Sequence, residues 1–365
     1  MLKLKENIVK LEINKQIIES ILINAQPFLE KKDATQITSH IFIYTQDKNC
    51  IFKSTDLEIG LSIKATNVKI FNEGAFTVSG KKFLDIIRIL NDEIVSLEII
   101  DDLLIIKQGK TRFKLPTFNY ESYPTFPKID NKSKISLDST LLIKSLKKIV
   151  PSIDTNNPKN ELNGALLDIK ENITNVVATD TRRLSVASIQ NNTKNELSII
   201  IPKKAIIEIE KIFIGEIDIF YDDTNLIIQG QNYFLFTKLI NGKYPDYNRI
   251  VPKEERYTIK VPKNQMVQAI RKITTVSQDI NICFERDSIQ FASLNRANDN
   301  LEARTQIEIQ LGIQDIFELN FNSRYLLDFL AQVESEEFEI AINQPNLPFM
   351  VRDKEFITII MPIVT

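Results

Sequence analysis

The stretch that decides the fold is written twice. Residues 101–115 read DDLLIIKQGKTRFKL and residues 222–239 read DDTNLIIQGQNYFLFTKL, and each copy runs on to a Tyr-Pro pair, Tyr123-Pro124 and Tyr244-Pro245. The register holds throughout: Asp101 to Asp222, Gly109 to Gly230 and Pro124 to Pro245 are each 121 residues. A chance likeness of one apolar strand would not carry through a turn glycine to a Tyr-Pro, so the copies mark an internal repeat. In each copy apolar runs are broken first by an aspartate turn, then by a glycine turn (Gln108-Gly109-Lys110, Gly230-Gln231-Asn232). Strand, turn, strand, turn, strand is an antiparallel meander.

A helix precedes each meander. GKKFLDIIRIL (80–90) sets Phe83, Ile86, Ile87 and Leu90 at helical spacing, and PKKAIIEIEKI (202–212) opens on Pro202, suited to a first turn. A third version, NSRYLLDFLAQV (322–333), leads into FEIAINQPNLPFMVRDKEFITIIMPIVT, again three strands and two turns. INKQIIESIL (13–22), LDSTLLIKSL (137–146) and VPKNQMVQAI (261–270) recur at intervals of 124, with Asn14, Asp138 and Pro262 as helix-start signals. STDLE (54–58) and ATDTRR (178–183) share Thr-Asp at the same offset. The expected fold is α+β, three repeated domains, each with two helices packed on antiparallel sheet. Polar segments at 128–135 (KIDNKSKI) and 252–258 (PKEERYT) divide the chain into 1–130, 131–253 and 254–365.

Composition narrows the function. With 46 basic and 48 acidic residues the chain is nearly neutral, so binding to nucleic acid requires the basic residues to gather on one surface. Cys50 and Cys283 lie far apart in sequence and form no metal-ligand cluster, and two reduced, partly buried thiols are the reading favoured over a disulfide or a site. MLKLKENIVK lacks the apolar core of a signal peptide and no apolar run reaches 18 residues, so a cytoplasmic protein with no membrane contact is expected. The one histidine, His40, reads as a packed or surface residue; GxxxxGK[ST], GxGxxG and GxSxG are absent. Asp101-Asp102 and Asp222-Asp223 recur at one repeat position, which makes them turn residues rather than an acid–base pair; Asp299 in NRAND (295–299) is read likewise. No enzyme, cofactor or metal is expected.

The positive signal lies in the helices. Lys144, Lys147 and Lys148 share one helix, Lys263, Arg271 and Lys272 another, Lys81, Lys82 and Arg88 a third, and Lys203, Lys204 and Lys211 a fourth beside Glu208 and Glu210; Arg324 is the basic residue of the last. They are either solvated helix faces or one continuous surface for phosphates. With no base-reading motif, such binding would ignore sequence.

LNGALL (162–167), VVATDTRRLSVAS (176–188) and KLINGKYPDYNRIVP (238–252), with TDLE (55–58), GKTRFKL (109–115) and Met361-Pro362, resemble the signature stretches of bacterial DNA polymerase III beta subunits, the replicative sliding clamps. The resemblance runs in order over nearly the whole chain. It implies clamp-type domains forming half of a ring, a head-to-tail homodimer around double-stranded DNA, and a tether for the DNA polymerase III alpha subunit, other polymerases, the clamp loader, and mismatch-repair and ligase-type proteins through short linear motifs. It places a peptide groove on Leu162, Thr179, Thr181, Arg182, Arg183, Leu184, Pro245, Arg249, Ile250, Pro348, Ile359, Ile360, Met361, Pro362 and Ile363. The implied DNA channel carries Lys31, Lys32, Lys81, Lys82, Arg88, Lys144, Lys147, Lys148, Lys203, Lys204, Arg271 and Lys272. Ring closure falls on Phe113 and Leu115 against Thr275 and Val276. The chain departs from the pattern at Thr181, where the family commonly has glycine, at its MPIVT end, at Asn160-Glu161 in place of aromatics, and in the polar Thr275. The rival readings are a sequence-independent DNA-binding protein that does not encircle DNA, and an enzyme built on the same repeat. The apolar groove residues would equally suit an inter-domain core.

Overall fold

The computed structural model describes residues 9–194, 196–252, 255–294 and 301–363; Asp299 and part of the 252–258 boundary lie outside them. The first repeat runs β1 (Lys10–Asn14), α1 (Lys15–Ala25), β2 (His40–Gln46), β3 (Asn49–Thr55), β4 (Ile59–Ala65), β5 (Val68–Asn72), β6 (Ala75–Ser79), α2 (Gly80–Ile89), β7 (Ile94–Ile100), β8 (Leu103–Gln108) and β9 (Thr111–Pro116). The second runs β10 (Ser133–Ile135), α3 (Ser139–Ile149), β11 (Gly164–Lys170), β12 (Ile173–Thr179), β13 (Arg183–Gln190), β14 (Leu197–Pro202), α4 (Lys203–Ile212), β15 (Asp218–Tyr221), β16 (Asn225–Gln229) and β17 (Tyr233–Lys238). The third runs β18 (Tyr257–Pro262), α5 (Lys263–Thr274), β19 (Asp279–Phe284), β20 (Ser288–Ser293), β21 (Arg304–Glu308), β22 (Phe317–Asn322), α6 (Ser323–Leu330), β23 (Glu337–Ile342), β24 (Phe349–Asp353) and β25 (Phe356–Ile360).

Local chemistry accounts for the elements. Asn14 and Asn322 cap α1 and α6, their side chains accepting from the N–H groups of Gln16 and Arg324. Helix α2 buries Phe83, Leu84 and Ile87 and leaves Lys81, Lys82 and Arg88 exposed, the amphipathic division its spacing predicts. Asp101 and Asp102 form the two-residue turn between β7 and β8, both with left-handed backbone (φ 51° and 56°) that aspartate tolerates. In the second copy the turn is longer, and the Asp222 carboxylate accepts from the N–H groups of Thr224 and Asn225 at 2.9 and 2.7 Å.

The chain divides into two compact units, residues 1–140 with 208–239, and 141–207 with 240–365. This division cuts through the middle repeat, unlike the three-part division read from the sequence, because the sheets are shared between repeats. The first unit holds a five-stranded sheet, β5-β1-β7-β8-β9, and an eight-stranded sheet, β10-β15-β16-β17-β4-β3-β2-β6. The second holds the eight-stranded β14-β11-β12-β13-β25-β24-β23-β18 and the four-stranded β21-β20-β19-β22. In each eight-stranded sheet the meander of one repeat pairs with the inner strands of the repeat before it.

The two joints share one register. Pairs from Tyr233↔Ile63 to Thr237↔Ile59 join β17 to β4, and pairs from Phe356↔Ala187 to Ile360↔Arg183 join β25 to β13. The inner strand moves by 124 residues (63 to 187, 59 to 183) and the outer by 123 (233 to 356, 237 to 360). Past each joint one further hydrogen bond repeats: Lys238 N–H to the Glu58 carbonyl, 2.8 Å, and Met361 N–H to the Arg182 carbonyl, 2.9 Å.

Candidate functional site

The Thr-Asp pair recognised in the sequence builds the same turn beside both joints. Thr55 Oγ1 donates to the Ile59 carbonyl and accepts from Leu57 N–H, while Asp56 accepts from the N–H groups of Glu58 and Ile59. In the second unit Thr179 Oγ1 donates to the Arg183 carbonyl (2.6 Å) and accepts from Thr181 N–H (3.1 Å), and Asp180 accepts from the N–H groups of Arg182 and Arg183. The third residue of each turn is left-handed, Leu57 at φ 76° and Thr181 at φ 72°. The angle that favours glycine is therefore retained with a β-branched side chain.

Beside the second turn lies a groove of about 600 Å³. Thr179, Thr181, Arg183, Leu184, Arg249, Ile250, Pro348, Ile359 and Met361, all expected from the sequence, line it together with Val251, Pro252, Asn343 and Leu347. Its floor is Leu184 and Ile359, paired across β13 and β25 and packed into a core with Leu166, Val177, Tyr244, Tyr247 and Met350. Ile250 and Met361, 41% and 40% exposed, offer apolar surface at its rim. Buried floor and half-exposed rim suit an apolar anchor residue of a bound segment.

The other expected groove residues are placed elsewhere. Leu162 is buried within that core cluster. Ile360 is fully buried: it neighbours Ile359 along the strand, and successive side chains point to opposite faces. Pro245 is exposed and lines a separate hollow with Asp168, Lys170 and Tyr247. Arg182 is exposed, and Pro362 and Ile363 continue past the groove, Ile363 N–H reaching the Asn320 carbonyl at 2.6 Å. Arg183 differs most from expectation. It is 5% exposed, Nε lies 3.1 Å from Asp180 Oδ2, Nη1 lies 2.7 Å from Asp328 Oδ2, and Nη2 donates to the Pro151 carbonyl. Its guanidinium also stacks on the Tyr325 ring, 4.7 Å from the centroid. Arg249, by contrast, has a side chain 85% exposed and holds Asp246 at 3.0 Å, an arrangement that leaves its head open to a ligand. Val251, Pro252, Asn343 and Leu347 were missed. The signal for the last two is length: six residues (343–348) separate β23 from β24, where two (101–102) separate β7 from β8.

The basic residues fall into two groups. Lys31, Lys32, Lys81, Lys82, Arg88, Lys147, Lys204, Arg271 and Lys272 are exposed. Lys144, exposed as well, and the half-buried Lys148 share Glu334, at 2.9 and 3.4 Å, and the Lys144 hydrogen bond holds that carboxyl below its ordinary range. Lys203 Nζ donates to the Ile153 carbonyl at 2.6 Å, and burial lowers its pKa. Of the expected ring contacts, Phe113 and Val276 are half-buried and Thr275 is exposed, but Leu115 is already buried within its own unit. His40 is buried against Phe118, rings stacked at 4.0 Å, with Nδ1 3.3 Å from Thr77 Oγ1; burial pushes its pKa down to about 4. Among the described residues no group of three or more His, Cys, Asp or Glu side chains could hold a metal, and no helix is long and apolar enough to cross a membrane.

Comparison with known proteins agrees over nearly the whole chain. Models of the DNA polymerase III beta subunit match in three parts, the N-terminal domain at 9–127, the central domain at 136–246 and the C-terminal domain at 248–363. The beta sliding clamp of Helicobacter pylori strain J99 is 35% identical over 353 residues, 94% of each chain. That of Pseudomonas aeruginosa is 23% identical over 337 residues, 90% of this chain and 91% of the relative. The crystal structure of the Helicobacter pylori beta clamp bound to a DNA ligase peptide superposes with a TM-score of 0.92 at 34% identity, covering 98% of this chain and 100% of that one. Threefold repeat, shared joints and matched length lead to one conclusion: the chain belongs to the DNA polymerase III beta subunit family, the sliding clamps.

Proposed function

We propose that two copies of this chain close a ring around duplex DNA, hold it without reading its sequence, and tether the replicative polymerase and other proteins to it. The repeats at 1–130, 131–253 and 254–365 are its domains. The observation that carries this reading is the repeated joint. Twice within the chain the last strand of a meander pairs in one register with an inner strand of the repeat before it. Among the described residues β9, the last strand of the first meander, and β21, an inner strand of the third repeat, are each left at a sheet edge. Pairing β9 of one copy with β21 of another repeats the joint, and doing so twice satisfies both edges under twofold symmetry. Phe113 on β9, with Thr275 and Val276 beyond α5, flanks that contact, and Leu115 supports it from within.

The exposed basic residues Lys31, Lys32, Lys81, Lys82, Arg88, Lys144, Lys147, Lys204, Arg271 and Lys272 meet phosphates, and the half-buried Lys148 and Lys203 add to their positive charge. Such contacts grip the backbone and ignore base identity, which permits sliding. The Helicobacter pylori relative is described bound to a DNA ligase peptide. The groove at Leu184, Ile250, Ile359 and Met361 takes short segments of that kind from polymerases, the clamp loader, ligase and mismatch-repair proteins. No catalytic step is assigned to the chain.

Retention on DNA tests the reading. Protein assembled on a nicked circular plasmid should stay bound through gel filtration and be lost when the plasmid is linearised. Equal loss from both forms would favour a DNA-binding protein that does not encircle its substrate.

A further inference from the structure

We propose that Arg183 serves bound peptides as a positioning residue: through Asp328 on α6 it locks both walls of the groove, so that peptide affinity depends on a carboxylate lying outside it. This rests on the reading of the groove as a peptide site. Arg183 sits where three segments meet. Its backbone carbonyl accepts from Thr179 Oγ1 and closes the 179–183 turn, one wall of the groove. Its backbone pairs with Ile360, which is flanked by Ile359 of the floor and Met361 of the other wall. Its side chain spends all three nitrogens, on Asp180 of the same turn, on Asp328 of α6, and on the Pro151 carbonyl following α3. Tyr325, one turn before Asp328 on α6, covers the guanidinium face.

A planar fork fits these partners together, whereas an ammonium group supplies a point charge without the fork or the stacking face. Three of its five N–H donors are held inside the fold and the residue is 5% exposed, which leaves little of it to meet a peptide although it lines the groove. The first joint supplies the contrast. Ile59 stands at the position of Arg183, so the first turn, closed in the same way by a threonine hydroxyl and an aspartate, has no guanidinium to tie it to a helix. Holding the second turn against α6 is therefore a property of the unit that carries the groove. Without Asp328, a buried guanidinium loses a charged partner and is drawn toward water, and the groove that the residue lines is open to it. Arg324 touches Asp328 only from outside, at 3.8 Å and 74% exposed, so its loss leaves the lock intact.

The test is calorimetry with the Helicobacter pylori DNA ligase peptide on the full chain. Asp328→Asn should weaken binding about tenfold, as expected when one member of a buried charged network is removed. Asp328→Glu should recover most of the loss, Arg324→Ala should bind like the parent, and Ile250→Asp, in the groove itself, should abolish binding. If Asp328→Asn does not fold, Arg183→Lys replaces it, and at least fivefold weakening is expected from loss of the fork. Parental affinity in the Asp328 or Arg183 variant, with binding abolished by Ile250→Asp, overturns the lock and leaves the groove reading standing. Parental affinity in Ile250→Asp overturns both.

Discussion

The two joints share a backbone and differ in what fills them. At the first, Phe236 on β17 pairs with Gly60 on β4, and Phe126 packs edge-on against Phe236 at 4.8 Å, over the same glycine. At the second, the corresponding pair is Ile359 and Leu184, and a groove remains beside it. A hydrogen bond common to both closes the first joint with Lys238, whose Nζ reaches Glu58 Oε1 at 2.9 Å, and the second with Met361, which turns toward the groove. One architecture thus yields a sealed seam where aromatics lie over a glycine and an open one where branched aliphatics form a floor. The difference lies in a handful of side chains.

Removing residues 361–365 attacks that difference most severely. It takes away Met361 and the hydrogen bond to Arg182, and peptide affinity should fall at least about thirtyfold, since a hot-spot anchor carries about 2 kcal/mol or more. Calorimetry on the truncated chain checks it, with circular dichroism verifying the fold. At the sealed seam the matching experiment is Gly60→Ala. An added Cβ would meet Phe236 Cε1 at 2.2 Å, so the aromatic must shift, and overpacking of this kind costs about 1–3 kcal/mol, read as a lower denaturation midpoint.

Legibility in the sequence follows the same contrast. The repeat, the meanders, the helices and the recurrence of Thr-Asp could be read because each rests on local spacing. That neighbouring repeats share sheets could not, because strand order across repeats leaves no local mark. Arg182 and Arg183 look alike in sequence, and a charged side chain is read outward by default. Strand alternation sends the second inward, and only the fold brings Asp180, Asp328 and the Pro151 carbonyl around it. Ile359 and Ile360 pose the same problem with apolar residues: either could be floor or core, and register decides.

Acid should separate the two units. His40, the chain's one histidine, is buried in the first, with its pKa lowered from 6.5 to about 4 by desolvation. Burial holds the ring neutral, so its contribution is whole above about pH 6.5 and is lost as pH falls toward 4. Hydrogen exchange between pH 7 and 4.5 should show the first unit loosening before the second, and His40→Gln should flatten that dependence. The smallest effect concerns the turns. Leu57→Gly and Thr181→Gly each relieve a left-handed backbone while loosening the unfolded chain, and the two should change stability by similar small amounts, under about 1 kcal/mol. A much larger gain at Thr181 alone would mean that the groove-side turn is held under strain its counterpart lacks.

Stoichiometry tests the central contrast most directly. Titrating the full chain with the Helicobacter pylori DNA ligase peptide should saturate at one peptide per chain, with binding lost in Ile250→Asp and retained in a Phe126→Leu variant of the sealed joint. Two peptides per chain, or one whose binding follows Phe126 instead of Ile250, would contradict the account.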